Sequence, residues 1–328
     1  MKQNSASGDE RLQQLETWVQ AQTQSVVKGI AASSDASFRR YFRYPLPEAD
    51  LIAMDAPPPQ EDCQPFVDIA YRLKAAGLNV PEILAEDIAR GFLLLSDLGK
   101  QTYLDVLNED NADALFADAL QALIAMQVNT DTKSLPHYDR ALLTRELALF
   151  PEWYIGHHLE QAIDDQAWQA AIEPLLAAIL KQPKVFVHRD FMPRNLMISS
   201  PNPGVLDFQD AVLGPISYDP ICLFKDAFIS WPEAKVNQWL QHYWQLASAT
   251  QLPLPDNYEA FKRDCDLMGL HRHLKVIGIF ARIAYRDGKP RYLEDVPRFV
   301  DYLRPVLAAY PELAELRALL ANYLDIAP

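Results

Sequence analysis

Residues 185–209, VFVHRDFMPRNLMISSPNPGVLDFQ, carry the pattern that decides the fold. The apolar runs VFV and LMI predict two short strands, and the turn PNPG before VL predicts a third. Asp190 follows the first strand, Asn195 comes five residues later, and Asp207 follows the third strand. A carboxylate that can act as a base, with an amide oxygen and a second carboxylate as ligands for Mg²⁺, is the set of groups that phosphoryl transfer requires.

The two halves of this stretch resemble two motifs of the kinase-like superfamily. Residues 188–195 are similar to the catalytic loop H-x-D-x-x-x-x-N, and the later D-F-Q resembles the metal-binding D-F-G. The resemblance implies that Asp190 is the catalytic base and that Asn195 and Asp207 hold Mg²⁺ against ATP. It also implies that His188 supports the loop by orienting its backbone.

The connection after the metal motif is short. Protein kinases carry a long activation segment ending in A-P-E there, whereas here Asp219 follows Asp207 within about a dozen residues and opens a predicted helix. This connection resembles the aminoglycoside phosphotransferase family, whose members phosphorylate small molecules. In that family the aspartate in the position of Asp219 props up the catalytic loop. Arg194 is a candidate catalytic cation, because Met192 stands where protein kinases often carry Lys.

Four short segments narrow the resemblance within that family: residues 35–43, 54–59, 61–63 and 191–195. Together they are similar to its cell-wall sugar kinases, which phosphorylate N-acetylmuramate and N-acetylglucosamine at the anomeric hydroxyl. The similarity covers roughly residues 30–310. It implies an ATP- and Mg²⁺-dependent kinase that produces a sugar α-1-phosphate in peptidoglycan recycling.

The segments expected to bind the nucleotide depart from the superfamily pattern. The strand predicted at 51–54 has an apolar residue where a phosphate-binding Lys is expected, and a polar turn at 33–37 replaces the G-x-G-x-x-G loop. We expect either Arg40 or Arg43 to replace the Lys, because guanidinium groups match phosphate geometry. The adenine should lie against residues 92–98. The candidate nucleotide-binding residues are Ser34, Ser37, Arg40, Arg43, Leu95 and Asp97.

A cationic stripe runs along one face of the helix predicted at 256–286. Its members recur at steps of three and four residues, so they share a face. The stripe either receives the lactyl carboxylate of a muramate-type sugar or forms salt bridges to nearby acidic helices. Asp210 is either a further substrate or metal contact or a solvated carboxylate. The candidate substrate-binding residues are Asp210, Arg272, Arg282 and Arg286.

Charge and composition exclude several classes of protein. The 328 residues carry a net charge of −14, which disfavours non-specific binding to nucleic acid or an anionic membrane. The three cysteines form no CxxC pair, so we expect neither a disulfide framework nor structural zinc. The first ten residues lack the apolar core of a signal peptide, and no apolar run reaches membrane-span length. We expect a cytoplasmic protein whose partner is a small amino sugar, with no protein partner evident.

The predicted fold class is α+β, with a bilobal protein-kinase-like architecture. Residues 1–96 should form a small β-rich nucleotide-binding lobe, with strands around one long helix at 61–76. Residues 97–328 should form a larger, mostly helical lobe for catalysis and substrate binding. Two alternative functions stay open. The first is a kinase for another small hydroxyl compound, such as an aminoglycoside; the second is a non-catalytic nucleotide-binding regulator, suggested by the absent strand Lys.

Overall fold

The computed structural model describes residues 7–33, 38–58 and 60–327. The chain folds into two compact units. The first contains residues 1–111 and 194–210, and the second contains residues 112–193 and 211–328. The chain therefore passes between the units after Asn111, Pro193 and Asp210. The division into nucleotide-binding and catalytic lobes after residue 96 concerns function and stays a prediction.

The elements alternate between short strands and helices early in the chain and are mostly helical later. The strands are β1 Ile30–Ser33, β2 Arg40–Tyr44, β3 Leu51–Asp55, β4 Ile83–Asp87, β5 Phe92–Ser96, β6 Lys184–Val187, β7 Leu196–Met197, β8 Gly204–Val205 and β9 Val212–Pro215. The α-helices are α1 Ser7–Thr23, α2 Gln64–Ala75, α3 Tyr103–Val106, α4 Ala112–Asn129, α5 Arg140–Leu147, α6 Asp165–Lys181, α7 Tyr218–Phe224, α8 Glu233–Ser248, α9 Tyr258–Arg286, α10 Val296–Ala309 and α11 Ala314–Leu320. A π-helix covers Phe150–His158.

The first unit is built on an antiparallel sheet with the strand order β1-β2-β3-β5-β4. Strands β4 and β5 form an antiparallel hairpin around the turn at Arg90 and Gly91. Gly91 has φ +73°, and a Cβ there would lie 1.8 Å from the carbonyl oxygen of Ala56. Only glycine fits this turn, because both the left-handed backbone and the close contact exclude a side chain.

Helix α1 covers one face of this sheet. Its apolar side chains recur at helical spacing and bury Leu15, Trp18 and Val19 almost completely. Each such burial contributes about 1.5–3 kcal/mol. The residues of the sheet that meet them are Tyr44, Ala53, Phe92 and Leu94. The helix ends at Thr23, and the chain then turns to form β1 at the edge of the sheet.

The second unit is mainly helical, and its small β-ladder carries the catalytic loop. β6 pairs with β9 in antiparallel register, with Val187 opposite Val212. Neither β9 nor the π-helix was expected from the sequence. Helix α9 runs unbroken through Gly269 and packs against the π-helix. A Cβ on Gly278 would lie 2.4 Å from the carbonyl carbon of Leu149, so glycine permits this close approach.

Candidate active site

The strand β6 ends at Val187 and places His188 and Asp190 at the start of the catalytic loop. His188 is completely buried. Its Nδ1 accepts a hydrogen bond from the backbone N–H of Asp190 at 3.2 Å. The ring is thereby tied to the backbone of the candidate base, while Asp190 itself is only half-buried.

A buried carboxylate supports the same loop from helix α7. The two oxygens of Asp219 accept the backbone N–H groups of His188 and Arg189, at 2.8 and 3.0 Å. Burial raises the pKa of Asp219 to about 7, and the two N–H donors oppose that rise. Because each oxygen already has a donor, the carboxylate fixes two successive peptide groups of the loop.

Two residues of the motif region have left-handed backbones. Arg189 has φ +77° and Asp207 has φ +64°. A side chain in this region costs about 1–3 kcal/mol, so the conformation persists only where the surroundings hold it. Such strain concentrates at functional sites. Here it occurs beside the candidate base and at a candidate metal ligand.

The candidate metal ligands meet within the first unit. Asn195 Nδ2 lies 3.3 Å from Asp207 Oδ2 and donates to it. Gln209, which replaces the glycine of D-F-G, donates from Nε2 to Asp207 Oδ1 at 2.8 Å. Asn195 is buried and Asp207 is exposed. The backbone N–H of Leu206 donates to the carbonyl of Asn195 and holds the two segments side by side.

This pair has the donor chemistry that Mg²⁺ prefers. The described residues contain no group of three or more His, Cys, Asp or Glu side chains placed to hold a metal ion. Mg²⁺ at kinase sites needs only one or two protein oxygens, because phosphates and waters fill its other positions. An exposed carboxylate beside an amide fits that requirement. Asp190 belongs to the second unit, and its convergence with the pair stays a prediction.

Two further predicted residues near the motif are exposed. Arg194, the candidate catalytic cation, lies in the 3₁₀ turn Pro193–Asn195. Asp210, the candidate substrate contact, follows Gln209 at the end of the first unit. Their roles stay predictions.

Strand register separates the two arginines expected near the nucleotide. Arg40 alternates with Phe42 and Tyr44, which face α1, so Arg40 lies on the α1 face. It pairs with the fully buried Asp55, which also binds Arg11 of α1 at 2.6 Å. The structure thus explains Arg40 as part of an ion-pair cluster between α1 and the sheet.

Arg43 lies on the opposite face, yet it is also engaged. Its guanidinium donates to both carboxylate oxygens of Asp97 and, at 2.7 Å, to the carbonyl of Gly99. The side chain therefore braces the segment after β5. Leu95, the other predicted residue of the adenine edge, is buried opposite Ile52.

The strand expected to carry the phosphate-binding Lys is β3, Leu51–Asp55. Met54 of β3 lies on the face opposite α1, directly across from Tyr41, and is completely buried. An apolar side chain therefore occupies this part of the sheet. Ser34 and Ser37, the predicted phosphate contacts, lie outside the described residues.

The cationic stripe of α9 divides into two parts. Arg272 is 3% exposed, and Lys275 donates to Glu146 at 2.8 Å. Arg282 and Arg286 lie ten and fourteen residues beyond Arg272, which is about 15 and 21 Å at the helical rise. Arg286 is exposed and pairs with its neighbour Asp287 at 2.7 Å. One monosaccharide cannot contact both ends of this stripe.

Arg272 is the most deeply buried arginine of the stripe. Its guanidinium is fully buried, and its Nη1 has no hydrogen-bond partner in the described structure. Burial opposes its charge, while Asp226 and Asp190 are among the groups that raise the pKa of Arg272. Arg286 pairs with Asp287 at the end of its own helix, Lys275 pairs with Glu146 of α5, and the substrate role of Arg272 stays a prediction.

Sequence reasoning missed one residue of this region, Glu146. It lies inside helix α5 in no recognisable motif, and its side chain is 7% exposed. In the structure it binds Arg189 of the catalytic loop and Lys275 of α9. The available signal was its position: Glu146 falls between Leu143 and Phe150 on the apolar face of the predicted helix, where a charged group needs partners.

Comparison with known proteins assigns the family. The model of the phosphotransferase enzyme family, APH, matches residues 28–261. The chain belongs to this family. The predictions that the chain resembles aminoglycoside phosphotransferases and is a phosphotransferase are confirmed.

Two curated relatives show how far the similarity extends. A protein of Pseudomonas putida named N-acetylmuramate/N-acetylglucosamine kinase is 56% identical over 96% of this chain and 97% of its own. A protein of Neisseria meningitidis with the same name is 44% identical over 89% of each chain. These relatives match the chain nearly end to end.

Solved structures confirm the fold. The choline kinase LicA of Streptococcus pneumoniae has a TM-score of 0.59 at 16% identity, covering 90% of this chain and 100% of its own. The ADP-bound aminoglycoside phosphotransferase APH(2'')-Ib has a TM-score of 0.57 at 16% identity, covering 88% and 97%. The predicted kinase-like α+β fold is therefore correct. Within the described residues, no helix combines the length and apolar character needed to span a bilayer.

Proposed function

We propose that this protein is an ATP- and Mg²⁺-dependent kinase that phosphorylates the anomeric hydroxyl of N-acetylmuramate and N-acetylglucosamine. The observation that carries the proposal is the 56% identity, over nearly the whole length, to a protein named for these two sugars. The proposed cellular role is peptidoglycan recycling in the cytoplasm, with a small amino sugar as partner.

Asp190 is the proposed base. Its backbone N–H is bound by His188, and the peptide groups before it are bound by Asp219. The loop is thus ordered before any substrate arrives. Asp190 would align the sugar hydroxyl and accept its proton as the oxygen attacks the γ-phosphate, which contributes typically 10²–10⁴-fold to such reactions.

Asn195 and Asp207 are the proposed Mg²⁺ ligands. Their amide and carboxylate lie within 3.3 Å of each other and include an exposed carboxylate. When bound, Mg²⁺ neutralises the phosphate charge that develops during transfer. Gln209 occupies the second oxygen of Asp207, so binding requires this amide to move or to share the carboxylate.

Arg272 is the proposed acceptor contact. It is buried, carries an unpaired Nη1 and interacts electrostatically with Asp190. We expect Arg272→Gln to raise the KM for N-acetylmuramate at least tenfold, because that sugar adds a carboxylate. Arg286→Gln, at the exposed end of the same helix, should leave both KM values within about twofold. Equal effects of the two variants would contradict this division of the stripe.

The test is incubation of the protein with MgATP and each sugar, followed by ³¹P NMR. We expect a new anomeric phosphate with both sugars. The matched control is the methyl glycoside of N-acetylglucosamine, which keeps every hydroxyl except the anomeric one and should not react. Phosphorylation of the methyl glycoside would contradict the position of transfer, and turnover of an aminoglycoside alone would contradict the sugar. ATP binding without any transfer would support a regulator.

A further inference from the structure

A buried group of charges lies behind the catalytic loop; we term it the Glu146 cluster, formed by Glu146, Arg189, Lys275 and Tyr138. Arg189 Nη2 and Lys275 Nζ both donate to Glu146 Oε1, the latter at 2.8 Å. The phenol of Tyr138 donates to Oε2. The side chains of Glu146, Lys275 and Arg189 are 7%, 13% and 18% exposed. The carboxylate therefore joins helix α5, helix α9 and the loop.

Arg189 stands between His188 and Asp190, and it is held at both ends. Its backbone N–H donates to Asp219, and its guanidinium donates to Glu146. The guanidinium also lies 6.0 Å from the ring centre of Tyr138. The left-handed backbone of Arg189 is unfavourable, so the two hydrogen bonds that hold this residue also fix the direction of the chain at Asp190.

Opposite charges stabilise one another in the cluster. Burial alone would raise the pKa of Glu146, but Lys275 and Arg189 outweigh it and lower the pKa to about 2. Lys275 also donates to the hydroxyl of Tyr218 at 3.3 Å, next to Asp219. Removing the single carboxylate would leave two buried cations facing each other without an anion between them.

We infer that Glu146 is a positioning residue for Asp190, acting through the side chain of Arg189. The inference rests on the proposed function, in which Asp190 is the base. Glu146 does not need to touch either substrate. It fixes the conformation of the loop, and a displacement of about 1 Å at a reacting group can cost 10²-fold in rate.

The test compares Glu146→Gln with Glu173→Gln. Glu173 lies on α6 and pairs with Arg140 of α5 at 2.6 Å, but both side chains are about half exposed. The same chemical change is thus made at an exposed pair whose partner, Arg140, belongs to the helix that carries Glu146. We expect Glu146→Gln to lower kcat about 100-fold with the KM for ATP and sugar within about threefold, and Glu173→Gln to change neither.

Arg189→Met and the double variant Glu146→Gln/Arg189→Met test the route of the effect. If Glu146 acts through Arg189, the double variant should lose no more kcat than the worse single variant. Multiplying losses would contradict the inference. Arg189→Lys keeps a cation for Glu146, so its kcat should be at least tenfold higher than that of Arg189→Met. This comparison remains informative if one of the other variants folds poorly.

Amide hydrogen exchange gives a readout that does not depend on activity. Peptides covering residues 186–192 should exchange at least tenfold faster in Glu146→Gln than in wild type or Glu173→Gln. Unchanged protection of this segment would overturn the inference, even if the wild type proves active on neither sugar. Absence of transfer in the wild type would instead reject the proposed function and leave the exchange comparison decisive for Glu146.

Discussion

The loop around the candidate base and the candidate metal pair differ in what holds them. His188, Arg189 and Asp190 are anchored by buried groups, above all Asp219 and Glu146. Asn195 and Asp207 are joined by amide hydrogen bonds, and Asp207 is exposed. Buried charged hydrogen bonds are costly to break, whereas exposed ones exchange readily with water. The loop of the candidate base is therefore preorganised, whereas the candidate metal pair can rearrange if a cation and phosphates bind.

The largest effect should come from the base itself. We expect Asp190→Ala to lower kcat by at least 10³-fold, because no other carboxylate of the loop can take the proton. Calorimetric titration of MgATP should show a dissociation constant within about threefold of wild type, since the metal ligands remain. A variant that keeps a tenth of the wild-type kcat would remove Asp190 from the role of base.

If Asn195 and Asp207 hold Mg²⁺, the rate should depend both on these side chains and on the Mg²⁺ concentration. We expect Asp207→Asn to lower kcat at least 100-fold and to raise the Mg²⁺ concentration needed for half-maximal rate, because an anionic ligand is lost. Chelation with excess EDTA should abolish transfer by the wild type, and added Mg²⁺ should restore it. Full activity in EDTA would contradict a metal-dependent mechanism.

The lowered pKa of the buried Glu146 predicts how the stability of the fold depends on pH. The folded surroundings lower the pKa of Glu146 from its ordinary value of 4.5 to about 2. A lowered pKa stabilises the fold above about pH 4.5, and this stabilisation is lost as pH falls through about 2. We expect Glu146→Gln to reduce the free energy of unfolding by about 3 kcal/mol at pH 7.

Denaturant titrations of both proteins at several pH values check this dependence. The difference between wild type and Glu146→Gln should shrink steadily below pH 4.5, while Glu173→Gln should follow the wild type throughout. A difference that stays constant down to pH 2 would show that Glu146 does not carry its charge in the folded protein.

The smallest effect should come from Gln209 on the exposed side. Its amide donates to Asp207 at 2.8 Å, but the bond is exposed and would compete with a cation bound to the same carboxylate. We expect Gln209→Ala to change kcat by less than about fivefold, as measured with saturating Mg²⁺. A loss comparable to that of Asp207→Asn would mean that the metal side is as tightly organised as the base side.

Local patterns in the sequence were enough to place the motif. The residues 51–54 and 92–95 are apolar runs bounded by turns, and both form strands of the sheet as expected. The motif residues follow strands, which is where a loop can expose a carboxylate. The family, the fold class and the type of reaction could be predicted from residues 185–209, because the order and spacing of the motif residues can be read directly from the sequence.

Structural features that depend on contacts between residues far apart in the sequence could not be predicted. Strand β9 is only four residues long, and it forms because β6 offers a free edge. Whether Arg40 or Arg43 faces α1 depends on register, which a single strand does not reveal. Glu146 acquires its partners from segments 43 and 129 residues away. Helical spacing alone placed Arg272 and Arg286 on one stripe, but not their very different burial.

The first unit is discontinuous in sequence, and this affects how the chain must be made. Asn79 donates to Ser199 at 2.9 Å, Tyr103 accepts from Asn202 at 2.8 Å, and the ring of Phe66 packs 4.8 Å from that of Phe208. All three contacts need residues that leave the ribosome after more than eighty residues of the second unit. Until residues 194–210 have emerged, the first unit therefore lacks these closing contacts, so it can be completed only after much of the second unit has been made.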